Sequence, residues 1–209
     1  MSAIEDFRAR AARRLLREPP ASWDRSDDDM NQKARMIPEG VQPRQASVLV
    51  PVVMRPQGLT MLLTQRTEHL SKHAGQIAFP GGRREAGESA LETALRETEE
   101  ETGLARSFVE PIGFLDGYLT VTQFLVTPVV ALVREGFSLK PDPNEVADVF
   151  EVPLAFLMQA ANCERHAREF RGATRHYYVY PWQNRYIWGA TAGMIRNMGD
   201  RLYGEDSTT

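Results

Sequence analysis

The sequence predicts an α/β fold in which a mixed β-sheet is covered by helices on both faces. Two β-rich runs, Ala46 to Met54 and Leu59 to Gln65, are joined by the turn composition Arg55-Pro56-Gln57-Gly58, which signals a hairpin. Further strand-like runs at Pro111 to Tyr118, Phe124 to Val133 and Arg175 to Trp182 alternate unevenly with helical patterns at Pro153 to Ala160 and Ala190 to Tyr203. One helix, Ala90 to Thr102, is sharply delimited at both ends. Uneven interleaving of this kind argues for a mixed sheet rather than a regular βαβ repeat.

Taken in order, Ala3 to Arg17 places Ile4, Phe7, Ala11 and Leu15 at helical spacing, an amphipathic helix that packs on or lids the domain. Its arginines read either as a solvated face or as a contact for an anionic group. Residues 19–44 are polar and proline-punctuated and carry the run Asp27, Asp28, Asp29, so this segment is expected to wrap the domain with little regular structure. The expected organisation is therefore a helix and wrapping segment over residues 1–45, a main domain over 46–204 and a polar tail over 205–209. A short run from Gln76 to Phe79 precedes the turn Pro80-Gly81-Gly82, and Trp188 reads as core.

Composition narrows the function. The chain has 209 residues, 42% hydrophobic and 25% charged, enough for one domain with a sizeable core. No apolar run approaches the roughly 18 residues of a membrane span. A net charge of -3 supplies no basic field for a nucleic-acid backbone, so a phosphate-bearing substrate has to be held locally or through a metal. The lone Cys163 and the absence of an apolar leader lead us to expect a cytoplasmic setting, and a homodimer is compatible with the composition.

The sharply delimited helix carries the chemistry. Ser89 with Glu92 forms a capping-box pattern, and Gly103 stands where a left-handed residue ends a helix. At about 100° per residue, Leu91, Ala94, Leu95, Thr98 and Thr102 fall on one core-facing stripe, and Glu97, Glu100 and Glu101 share the adjacent face. Glu92 and Glu99 point elsewhere. Carboxylates stacked within one turn repel one another, and a divalent cation relieves the repulsion. Most acidic helices are simply solvated, and the spacing of the surrounding residues decides against that here.

Gly82, Glu88, Arg96, Glu97, Glu100, Glu101 and Gly103 reproduce the spacing of the Nudix box, a coincidence with odds on the order of one in a million. The sequence thus resembles a Nudix hydrolase. It departs at Thr98, where the pattern has an aliphatic side chain, a change that bears on packing. The resemblance implies a Nudix-type α/β/α sandwich and metal-dependent diphosphate hydrolysis with Mg²⁺ or Mn²⁺. Glu97 and Glu101, one turn apart, make the best ligand pair, and Glu100 is either a further ligand or the group that activates water. By the same resemblance Glu88 pairs with Arg96 to hold loop and helix together, and the Gly81 carbonyl joins the metal ligands.

Upstream, Leu62-Leu63-Thr64-Gln65-Arg66 and His73-Ala74-Gly75-Gln76-Ile77-Ala78-Phe79-Pro80-Gly81-Gly82 resemble the motif that precedes the box in the coenzyme A diphosphatase branch. Thr127-Pro128-Val129-Val130, Pro141-Asp142-Pro143-Asn144-Glu145-Val146 and Ile187-Trp188-Gly189-Ala190-Thr191-Ala192 continue it. Ser71 replaces a frequent arginine and Gln123 a frequent glycine. The resemblance implies a small-molecule substrate, coenzyme A or an acyl-CoA, with ADP-ribose or another nucleoside diphosphate derivative as the alternative and a non-catalytic ligand sensor as a more distant one. Candidate substrate contacts are Arg66 and His73 for phosphate, Gln76 within the motif, and Phe79 for adenine. Each has a structural alternative: a surface ion pair for Arg66, a structural or solvated histidine, and core packing for Phe79. Glu145 is a candidate water-orienting base or a solvated turn residue.

Overall fold

The run Phe124 to Val133 is apolar at nearly every position because it lies at the centre of the sheet with both faces covered. The computed structural model describes residues 2–31, 33, 35–68, 75–170 and 172–204. In chain order the elements are α1 (Ala3–Arg14), β1 (Trp23–Ser26), β2 (Arg44–Arg55), β3 (Gly58–Arg66), β4 (Ile77–Ala78), β5 (Gly81–Arg83) and α2 (Ala90–Thr102). There follow β6 (Val109–Phe114), β7 (Gly117–Leu119), β8 (Phe124–Val133), β9 (Val146–Pro153), α3 (Leu154–Met158), β10 (Glu164–Phe170), β11 (Ala173–Trp182), β12 (Arg185–Trp188) and α4 (Ala190–Tyr203).

The main sheet runs β1-β7-β8-β2-β3-β4, with β5 added to β2, β6 to β8 and β9 to β3. Strand β8 pairs in parallel with β2, from Arg44 opposite Phe124 to Val53 opposite Val133, while the hairpin β2–β3 is antiparallel and closes at Arg55 opposite Gly58. The sheet is therefore mixed. Alternation along its central strands separates the two layers. Val50, Val52, Val130 and Leu132 enter the main core shared with α1, α3 and α4. Leu49, Val129 and Ala131 point the other way, against Ala94, Leu91 and Leu95 of α2. Helices thus cover both faces, as an α/β/α sandwich requires.

Several elements differ from the sequence expectation. The helix at the N-terminus stops at Arg14, and Leu15 and Leu16 continue as extended chain bridged to Phe114. The expected single strand Pro111 to Tyr118 is two: β7 pairs with Leu125 and Val126 and β6 with Val129 to Val133, and between them the Leu115 N–H donates to the Pro128 carbonyl with no N–H from Pro128 to return the bond. Proline has no N–H to donate to a ladder. The segment 19–44 is more ordered than expected. It contains β1, parallel to β7, and Asp28 is buried, accepting from the Met36 and Ile37 N–H groups and from Arg175. Strands β9, β10 and β12 were not anticipated, and the last two form a separate antiparallel sheet with β11.

The arginines of α1 are not simply solvated. Arg14 donates to the carbonyls of Arg201 and Gly204, and Arg10 to that of Leu202, so the basic face caps the C-terminus of α4, where cations complement the helix dipole. Phe7, Ala11 and Leu15 are buried beneath them. Among the described residues no helix is long and apolar enough to cross a membrane.

Candidate active site

Helix α2 has the limits its sequence specifies. Ser89 Oγ accepts from the Glu92 N–H at 3.2 Å, Glu92 Oε2 accepts from the Ser89 N–H at 2.7 Å, and Gly103 is left-handed with its N–H on the Glu99 carbonyl. The expected stripe holds, with Ala94, Thr98 and Thr102 buried and Leu91 and Leu95 packed at its edge. Thr98 Oγ1 donates to the Ala94 carbonyl at 2.6 Å, which accommodates its hydroxyl in a buried position. Glu99 lies outside, paired with Arg106, and Glu92 serves the N-cap.

The loop before the helix folds Glu88 onto Arg96. Arg96 Nε donates to Glu88 Oε1 at 2.7 Å and Nη2 to Oε2 at 3.0 Å, a two-pronged pair reinforced by Thr93 Oγ1 at 2.8 Å. The Arg96 bonds, with those of the Glu85 N–H and Thr93, hold the Glu88 carboxyl down at about 2. Arg96 Nη1 also reaches Glu97 at 2.9 Å and Glu100 at 3.0 Å, so one guanidinium organises three carboxylates.

Among the described residues Glu101 has no such two-pronged partner. Glu101 is 5% exposed; its Oε2 accepts the Gly81 N–H at 3.0 Å, and its Oε1 stands 3.7 Å from Arg66 Nη1. Burial raises its pKa to about 7, with the charges of Glu145 and Glu97 adding to the shift and Gly81 and Arg66 opposing it. Burial likewise raises Glu97, with Glu100 and Glu145 contributing. Glu145 comes into this field because its loop is tied to the helix end: the Asp142 N–H donates to the Glu101 carbonyl, and the Glu145 N–H to that of Asp142. The glycine pair fits its surroundings tightly. A Cβ on Gly82 would lie 2.5 Å from both Glu97 carboxylate oxygens, and one on Gly81, at φ +153, would lie 2.6 Å from Val48 Cα.

Beside this cluster opens a cavity of about 810 Å³ whose walls include Arg66, Gln76 and Phe79. Three of the expected substrate contacts thus share one space, while His73 and Ser71 lie outside the described residues. Phe79 is 3% exposed and belongs to the main core, so it contributes a wall and has no open ring face to offer adenine. Arg66 Nε is buried without a hydrogen-bond partner among the described residues. Trp188, expected in the core, is only half-buried and lines the cavity with Arg168 and Tyr177. No periodicity pointed to these residues, since β10 is polar and lies at a sheet edge.

Residues 43–183 match the NUDIX domain model. The chain belongs to the Nudix hydrolase family. It is 42% identical over 161 residues to the Nudix hydrolase NudL of Escherichia coli (strain K12), covering 77% of this chain and 83% of that one. Identity to the Yersinia enterocolitica NudL is 41% over 75% of this chain and 80% of that one. The structure of DR0079 from Deinococcus radiodurans matches with a TM-score of 0.49 at 15% identity, over 79% of this chain and 88% of that one.

Nudix hydrolases act on pyrophosphate bonds and use divalent metal ions such as Mg²⁺ or Mn²⁺. The donor chemistry of this Nudix helix suits such an ion: Glu97, Glu100, Glu101 and Glu145 all supply hard oxygens, and among the described residues Arg96 and Arg66 are the cations that pair with the helix carboxylates and Glu88. Among the described residues no three Asp, Glu, His or Cys side chains already converge as a cation cage. The Glu97 and Glu100 oxygens are turned instead to Arg96, and those of Glu101 to the Gly81 N–H and Arg66. The fit lies in the excess of negative charge, buried at Glu101 and half-buried at Glu97, which a divalent ion would neutralise.

Proposed function

We propose that this Nudix hydrolase cleaves the diphosphate linkage of coenzyme A or a CoA derivative to 3′,5′-ADP and (acyl-)4′-phosphopantetheine. The observation that carries the reading is the junction of the carboxylate cluster with the 810 Å³ cavity at Arg66, which contacts Glu101 and lines the cavity wall. That volume lies within the range of about 300–1,000 Å³ typical of small-molecule sites. Glu97 and Glu101, with Glu100 and the Gly81 carbonyl, would hold Mg²⁺ or Mn²⁺, which supplies charge neutralisation and Lewis acidity to the diphosphate. Arg66 orients the diphosphate, and Glu88 with Arg96 fixes the loop against the helix. Glu100 or Glu145 accepts the proton of the attacking water. Gln76 lines the substrate path, and the upstream motif it belongs to favours coenzyme A over ADP-ribose.

The test is turnover of coenzyme A, dephospho-CoA and ADP-ribose by the purified chain, each with Mg²⁺ and with Mn²⁺, with products identified by mass spectrometry. The expected result is a higher kcat/KM for coenzyme A than for ADP-ribose, and no turnover after chelation. Preference for ADP-ribose would overturn the substrate while leaving the hydrolase intact.

A further inference from the structure

The sheet β10–β11–β12 brings to the cavity a group of residues that the diphosphate chemistry leaves unused. In β10, His166, Arg168 and Phe170 share one face, and the register sets Arg168 opposite Arg175 and His166 opposite Tyr177. The Arg168 guanidinium lies 4.9 Å from the Trp188 ring centroid, 5.3 Å from that of Phe170 and 5.9 Å from that of Tyr177. Trp188 is itself braced edge-on by Tyr177 at 5.5 Å. Ring faces hold a guanidinium while leaving the N–H donors in its own plane available for a phosphate. Arg175 is committed otherwise, to Asp28 and the Asp27 carbonyl. Among the described residues Arg168 has no carboxylate or hydrogen-bond acceptor. Because Arg168 covers the rings, this wall presents a held cation and not a bare aromatic platform.

We propose that Arg168, stacked on Trp188, Tyr177 and Phe170, binds a second phosphate of the substrate, the ribose phosphomonoester that coenzyme A carries and dephospho-CoA and ADP-ribose lack. This rests on the coenzyme A reading and assigns the specificity of the same cavity: one end, at Arg66 and the α2 carboxylates, takes the diphosphate, and Arg168 takes the monoester. Lysine keeps the charge but neither the fork nor the stacking, so Arg168→Lys should be an intermediate case.

The experiment compares wild type, Arg168→Ala and Arg168→Lys on coenzyme A and dephospho-CoA, with circular dichroism to confirm folding. A charge-assisted phosphate bond corresponds to roughly a tenfold effect or more. The expected result is that Arg168→Ala loses this factor in kcat/KM for coenzyme A through KM, with kcat and dephospho-CoA turnover unchanged and part of the loss recovered in Arg168→Lys. Equal losses on both substrates, or none, overturn the proposal. Calorimetric binding of 3′,5′-ADP and 5′-AMP without metal separates it from the catalytic reading, because it needs no turnover. Tighter binding of 3′,5′-ADP that disappears in Arg168→Ala supports the phosphate site even where coenzyme A proves a poor substrate. Indistinguishable binding of the two nucleotides by wild type overturns it.

Discussion

At the scale of single residues, the two adjacent glycines do different jobs. A methyl on Gly82 meets the movable end of Glu97 first, whereas one on Gly81 meets the backbone of β2 at a φ that disfavours any side chain. Gly82→Ala should therefore fold with stability within about 1 kcal/mol of wild type, yet lose on the order of a hundredfold in kcat, the scale of a misplaced catalytic group. Gly81→Ala should instead cost about 2 kcal/mol or more in stability. Urea unfolding alongside steady-state kinetics separates the two, and a fully active Gly82→Ala would refute the packing of Glu97 described above. Thr98→Val tests the irregular box position: it loses the hydroxyl bond to Ala94 while the Ala94 carbonyl keeps its helical N–H, for a cost of about 0.5–1.5 kcal/mol and activity within a few-fold. The box residues were legible because their spacing is fixed within one helix and its preceding loop. Trp188 was not, since an aromatic residue on a strand reads as core until the opposing wall is known.

At the scale of elements, legibility followed how local the determining interaction is. The limits of α2 are set by Ser89, Glu92 and Gly103, all within the element or one residue of it, and the sequence reading and the structure agree on them. The split of β6 from β7 depends on Pro128, a residue of a different strand, so the run Pro111 to Tyr118 gave no sign of it. Strand β9 has Asp148 and Glu151 among its apolar positions, and these charges are matched only across the fold, by Arg185 and Arg55. The basic face of α1 is the same case, because its acceptors are the last carbonyls of α4. Arg14→Ala removes two of those bonds, and about 1–3 kcal/mol of stability should go with them while kcat stays unchanged. Thermal unfolding at fixed pH checks this, and an unchanged Tm would mean that water serves α4 equally well.

At the scale of the whole molecule, charge pairing between distant segments governs response to acid. Burial pushes the Asp116 carboxyl up, but bonds from Arg201 and Asn197 outweigh it and leave the group below its ordinary value. Glu151 is held low in the same way by Arg55 and Thr60 against its own burial. A carboxyl whose folded pKa is depressed contributes stability above its unfolded pKa and loses it as pH falls through the folded one. Stability should accordingly decline below about pH 4, and Asp116→Asn should flatten that decline in urea titrations across the acid range. In the proposed mechanism one face of α2 holds the catalytic metal, which is tested most directly by kcat at saturating Mg²⁺ for Gln substitutions of Glu97, Glu100, Glu101, Glu92 and Glu99, with folding confirmed. The first three should fall roughly a hundredfold, corresponding to about 3 kcal/mol of lost transition-state stabilisation, and the last two should stay near wild type, since glutamine preserves the Glu92 cap. A Glu99→Gln variant as impaired as Glu97→Gln, or a Glu101→Gln variant with normal turnover, would contradict the account.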